Sequence, residues 1–117
     1  MPYRTPGKPD PKAVAEEALG RALGRALAAL RTSGREKAAE RIESATSYMD
    51  IALALTEAAA VHPPTYHPPP LEEAILTLVK AYWVLARDGT RYVHAEMFAE
   101  AAIDRFDDLE HPPDERT

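Results

Sequence analysis

The chain has 117 residues, a formal net charge of -5 and no cysteine. That length fits one domain able to bury a modest core without covalent staples. The missing thiols exclude a disulfide framework, a thiolate zinc site and a cysteine nucleophile, and no stretch approaches the ~20 apolar residues of a membrane span.

The net charge conceals a gradient. From Met1 to Arg41 nine Lys or Arg face five Asp or Glu, whereas from Ile42 to Thr117 five face fourteen. A chain polarised in this way either pairs its own basic and acidic elements within one fold, stacks on copies of itself or offers its basic end to an acidic partner. All eleven prolines fall within residues 2 to 11, 63 to 70 and 112 to 113. The two long proline-free stretches between them read as helical blocks. Residues 1–10 are expected to form a flexible arm and 111–117 a flexible tail around one helical domain at 11–110. The arm carries no apolar run of a secretory signal, so a cytoplasmic location is expected.

Asp10 before Pro11 has the form of an N-cap followed by proline at the first helical position. The first predicted helix runs over 11–31, with Leu19, Ala22, Leu23, Ala26 and Leu30 on one face and Arg21 and Arg25 on the other. Gly20, Gly24 and Ala28 form a row of small residues. Interior helical glycines cost roughly 1 kcal/mol each relative to alanine, so the row predicts a close approach, by another helix of the same chain or by a second chain.

Ser33 and Glu36 match the capping-box spacing, which starts a second helix over 34–61. Ile42, Ala45, Met49, Leu53, Thr56 and Ala60 would form its main apolar stripe, with Tyr48, Ile51, Leu55 and Ala59 widening it. Glu36, Glu43, Asp50 and Glu57 repeat at seven-residue steps on the other side. Carboxylates two turns apart are ~10 Å apart, too far for a di-metal site, and the chain has no Glu-x-x-His pair. A solvated face is the better reading, and no metal is expected.

The bridge at 62–70, His62-Pro-Pro-Thr-Tyr66-His67-Pro-Pro-Pro70, reads as a stiff connection onto which Tyr66 packs. Two histidines five residues apart with no third ligand nearby make a poor zinc site. The third helix, over 71–87, starts with Glu72 and Glu73 in its first turn, where they complement the helix dipole. It is apolar almost all round, with a polar strip only at Glu73, Lys80 and Arg87. The Leu76, Val79 and Trp83 side is therefore either covered by the chain itself or offered to a partner. Asp88-Gly89-Thr90 predicts a tight turn, with Gly89 left-handed and Thr90 capping the next helix. The fourth helix, over 91–110, sets Phe98, Ala102, Phe106 and Leu109 inward and Glu96, Glu100, Asp104 and Asp107 outward. The fold expected is all-α, a four-helix bundle built from two helical hairpins joined by the proline-rich bridge.

One spacing carries possible chemistry. Arg87 and His94, with six residues between them and Asp88 directly after the arginine, resemble the Arg-x(4–6)-His signature of HEPN ribonucleases, which are helical bundles. The resemblance covers eight residues. It implies a metal-independent ribonuclease or toxin component, with Arg87 on phosphate, His94 transferring the proton and two motifs meeting across a dimer. The plain alternative sets Arg87 at the carbonyl end of the third helix and His94 at the core boundary. A helix-turn-helix reading fails on charge, because the last helix is acidic. Arg21, Arg25, Arg31 and Arg35, joined by Arg4, Lys8, Lys12 and Lys37, could support sequence-independent contact with a nucleic-acid backbone. No Gly-rich phosphate loop, serine elbow or nucleotide fingerprint occurs, so no cofactor is expected. The favoured role is a non-enzymatic interaction or assembly module, a small subunit, adaptor or inhibitor. It would bind another protein or its own copy through Leu76, Val79 and Trp83 or the Gly20–Gly24 ridge.

Overall fold

A computed structural model of the chain describes residues 10–60 and 69–110. Both flanking arms and most of the proline bridge, with His62, Tyr66 and His67, lie outside the described residues. Five helices follow one another: α1 (Pro11–Thr32), α2 (Glu36–Glu43), α3 (Tyr48–Ala58), α4 (Pro70–Arg87) and α5 (Tyr92–Glu110). The described residues are all-α, with no strand.

The first helix starts as its sequence dictates. Asp10 Oδ1 accepts from the Lys12 N–H at 3.2 Å and Pro11 stands at the first helical position. Its end differs from the capping-box expectation. Gly34 turns the chain at φ +82°, the Arg35 N–H donates to the Leu30 carbonyl at 2.7 Å and the Gly34 N–H to that of Arg31 at 3.1 Å. This is a Schellman closure, which needs glycine at the left-handed position. It makes Ser33 the C-cap of α1 rather than the N-cap of α2, and its hydroxyl donates to Leu30 O at 3.1 Å. The Glu36 carboxylate turns to Arg31 instead.

The second predicted helix is broken in two. Ser44 Oγ donates back to Arg41 O at 2.9 Å, and Ser47 Oγ accepts from the Asp50 N–H at 3.0 Å as the N-cap of α3. Short hydroxyl side chains satisfy backbone groups outside the helical ladder, so a Ser-Ala-Thr-Ser run ends one helix and starts another. A simple four-helix bundle of two hairpins is thereby replaced by five helices.

Long-range contacts set the directions. Tyr48 at the start of α3 meets Tyr82 near the end of α4, with ring centroids 6.2 Å apart. Arg35 meets both Ala58 O at the end of α3 and Glu72 at the start of α4. The two helices are therefore antiparallel. Arg105–Glu73 makes α5 antiparallel to α4, and Arg21–Glu100 with Arg25–Asp107 makes α1 and α5 parallel. The central helix is α4, packed against α1, α3 and α5. Leu30, Ile42, Leu55, Ile75 and Leu78 are the largest fully buried side chains, set among a dense population of buried alanines. Small side chains let the helix axes approach closely, which is how a core with few aromatics still excludes water.

The four-residue break also shifts the phase of the apolar stripe. Ala52, Leu55 and Ala59 point inward on α3, whereas Met49 and Leu53 are 41% and 44% exposed. A stripe counted through residues 44–47 as continuous helix puts those two in the core; the turn rotates them out.

Candidate interaction surfaces

The charge gradient resolves into internal pairing. Arg21 meets Glu100 at 3.0 Å and Arg25 meets Asp107, joining α1 to α5. Arg31 takes both Glu36 and Glu43, and Arg41 takes both Asp50 and Glu57. The seven-residue acidic row is thus no single face: two arginines each clamp two of its members. The hydrogen bond from Arg41 holds the Asp50 carboxyl below its ordinary range, and the carboxylates around Arg31 raise its guanidinium. Pairs this exposed contribute little stability individually. They nonetheless occupy Arg21, Arg25, Arg31 and Arg35, the residues a phosphate backbone would need.

Arg35 differs from the others because its partner is buried. Glu72 is 5% exposed and sits in the first turn of α4, next to unpaired backbone N–H groups that favour a negative charge. Arg35 also donates to Ala58 O at 3.3 Å. One guanidinium thereby ties the entry of α2 to the exit of α3 and the entry of α4.

The all-round apolar helix is mostly covered by its own chain. Val79 is 7% exposed, so it belongs to the core rather than to an open interface, while Leu76 and Trp83 are half-buried and packed against that core. Helix α4 can bury three sides because α1, α3 and α5 surround it. The polar strip of Glu73, Lys80 and Arg87 is exposed. Tyr82 lies inside, where burial foremost, and then the neighbouring Tyr48, push its phenol above the ordinary value.

The Gly20–Gly24 ridge faces outward. A Cβ built on either glycine meets no atom within 4 Å. Among the described residues no helix of the same chain closes on it, which corrects the expectation of an internal crossing. Gly20→Ala and Gly24→Ala are each expected to raise stability by about 0.5–1 kcal/mol, read as a higher melting temperature. A lower one would show that something packs on the ridge in solution.

At the α4–α5 turn, Asp88 Oδ1 accepts from both the N–H and the hydroxyl of Thr90, at 3.0 and 2.7 Å. These bonds, the hydroxyl one foremost, depress the Asp88 carboxyl. The Thr90 hydroxyl is therefore no cap for α5, which starts from the Arg91 carbonyl. Among the described residues only Gly34 has positive φ, so Gly89 turns without the left-handed conformation. Val84, Arg87, Asp88 and Arg91 line an open recess of about 310 Å³ here. His94 is exposed in the first turn of α5 and is not part of that lining.

Two features escaped the sequence pattern. One is an apolar groove of about 240 Å³ where α1 ends, α4 begins and α5 ends, floored by Ala28, Ala29, Leu71, Phe106 and Leu109. The other is a pair of exposed side chains on α5, Val93 and Met97, each 59% exposed. Their i, i+4 spacing off the Phe98, Ala102 and Phe106 face was the available signal. Among the described residues no three potential metal ligands cluster, and no helix is long and apolar enough to cross a membrane. No family model, curated protein or solved structure matches the chain.

Proposed function

We propose that the protein is a non-enzymatic interaction or assembly module whose helix faces bind another protein. The observation that carries this reading is the presence of two outward apolar pairs, Met49 with Leu53 on α3 and Val93 with Met97 on α5, all 41–59% exposed. A single exposed apolar residue needs no explanation. Pairs one turn apart on the same helix are the spacing by which helices anchor in partner grooves. Methionine adds adaptability, because its unbranched side chain fits irregular surfaces.

The other readings have less support. A nucleic-acid backbone would have to displace carboxylates from Arg21, Arg25, Arg31 and Arg35. The ribonuclease reading requires Arg87 and His94 to converge on one phosphate, yet the recess beside Arg87 lacks His94.

Affinity capture from the native host with the full chain tests the proposal. Two paired variants serve as controls, Met49→Lys with Leu53→Lys and Val93→Lys with Met97→Lys. A specific partner is expected with the parent and at least tenfold less of it with one paired variant, while thermal melts stay within a few degrees. Equal recovery by parent and both variants sinks the reading.

A further inference from the structure

We infer that the proline pair Pro112-Pro113 seats in the apolar groove at the end of the bundle, within the same chain. The inference goes beyond the interaction-module reading and concerns a different surface. Ala28 and Ala29 of α1, Leu71 of α4 and Phe106 and Leu109 of α5 wall the groove, which stands open among the described residues.

The register of α1 against α5 explains why the groove exists. The two helices are parallel, and the pairs Arg21–Glu100 and Arg25–Asp107 join residues 79 and 82 positions apart. Carried to the end of α1, those offsets set Thr32 level with a position between residues 111 and 114, past Glu110 where α5 ends. The end of α5 has a local cause. Pro112 and Pro113 bring no N–H to the helical ladder, and Pro112 disfavours the helical conformation at the residue before it. The last turn of α1 therefore runs on without α5 beside it, and the groove is the space that a further turn of α5 would fill.

Spacing and chemistry select the same occupant. Thr32 lies seven residues past Arg25, about 10.5 Å along α1, and Glu110 three past Asp107, about 4.5 Å along α5. The remaining ~6 Å is two residues of polyproline II at ~3.1 Å each, which brings Pro112 level with Thr32 and Pro113 to the open end of the groove. An extended segment of ordinary residues would carry N–H groups into apolar surroundings without acceptors. A proline pair carries none, and its backbone is already restricted to the extended form, so little entropy is lost on docking. Phe106, Leu71 and Leu109 supply the mixed aromatic and aliphatic floor on which such segments are held. Glu110 itself lines the groove, so the prolines are tethered two and three residues from it. A tether this short gives an effective concentration on the order of mM, and a contact too weak to retain a separate partner then suffices within the chain.

Nuclear Overhauser spectroscopy of the isotopically labelled full chain tests this. The chain has two phenylalanines, which makes the Phe106 ring simple to assign. Contacts are expected from the ring protons of Pro112 or Pro113 to the Phe106 ring or to the methyl groups of Ala28, Ala29 or Leu71. Ala28→Gln places a longer, polar side chain in the groove wall at an exposed helical position, and is expected to abolish those contacts with the helical circular dichroism unchanged. An equal mixture of labelled and unlabelled chains should show the contacts within labelled chains only. Contacts between chains would place the prolines in the groove of a second copy, and contacts from Tyr66 in their stead would give the groove to the bridge. Either result overturns the inference, as does a parent chain in which neither proline meets the groove. Ala28 belongs to neither exposed apolar pair, so the partner-capture result stands by itself.

Discussion

Replacing Arg35 by methionine is expected to lower the unfolding free energy by about 2–3 kcal/mol, measured by urea denaturation. The loss originates at the other end of the pair. Glu72 is 5% exposed, and Arg35 is the only cation paired with it among the described residues. Removing one partner of a buried ion pair leaves a desolvated charge and typically costs about 3–5 kcal/mol. The Arg35 side chain itself is 39% exposed, which lets water reach the site and places the expectation below that range. The bond to Ala58 O is lost as well, freeing the end of α3. Two further variants separate charge from packing. Glu72→Gln combined with Arg35→Met removes the orphaned charge and should recover at least half of the loss. Arg35→Lys keeps the charge but lacks the planar fork that spans Ala58 O and Glu72, so it should fall between parent and methionine. A single-variant loss below ~0.5 kcal/mol would place this pair with the ordinary surface pairs.

Much of the helix layout was legible because its signals are local. Asp10-Pro11 starts a helix by side-chain capping and fixed φ, and the ends of α4 and α5 fall within one residue of their sequence boundaries. Polarity alternating at helical period also located the exposed strip of Glu73, Lys80 and Arg87. The errors arise where two local signals compete. At 44–47 a high density of alanine, isoleucine and leucine on both sides favours continuous helix, whereas three hydroxyl side chains offer the backbone other partners. The hydroxyls prevailed, and Arg41 reaching forward to Asp50 and Glu57 secures the resulting α2–α3 corner. At Ser33 the capping-box spacing was present, but glycine one residue later gave α1 a better C-terminus and moved the next start to Arg35.

The surfaces were less legible because exposure depends on which helices meet. Val79 and Trp83 share a sequence pattern, yet Val79 is buried, at 7% exposure, and Trp83 only half-buried. The Gly20–Gly24 row has the composition of a close crossing but faces outward, because α1 buries the face of Ala15, Leu19, Ala22 and Ala26 instead. The pairing of the basic first third with later acids was anticipated by the charge gradient. Which arginine meets which acid required the parallel alignment of α1 and α5, and nothing local in the sequence encodes that.

Truncating Leu78 to alanine should cost about 3–4 kcal/mol, and the same truncation at Leu53 at most about 0.5–1 kcal/mol. Both are leucines in helices, so intrinsic propensity changes equally and little in each case. Their environments differ. Leu78 is fully buried on α4, where three helices surround it and can collapse only partly into the space left. Such a site loses both the transfer free energy of the removed carbons and the contacts of the atoms lining the cavity. Leu53 is 44% exposed, so water fills the space and no cavity forms. Leu55, two residues further along α3 and fully buried, should behave like Leu78. The three truncations together also test the break at residues 44–47. One uninterrupted helix over 34–61 would carry Leu53 inward, and its truncation would then cost as much as that of Leu78. A large loss at Leu53 would overturn both the rotated phase of α3 and the exposed apolar pair that it forms with Met49. A small loss there, beside large ones at Leu55 and Leu78, is the result that the five-helix arrangement requires.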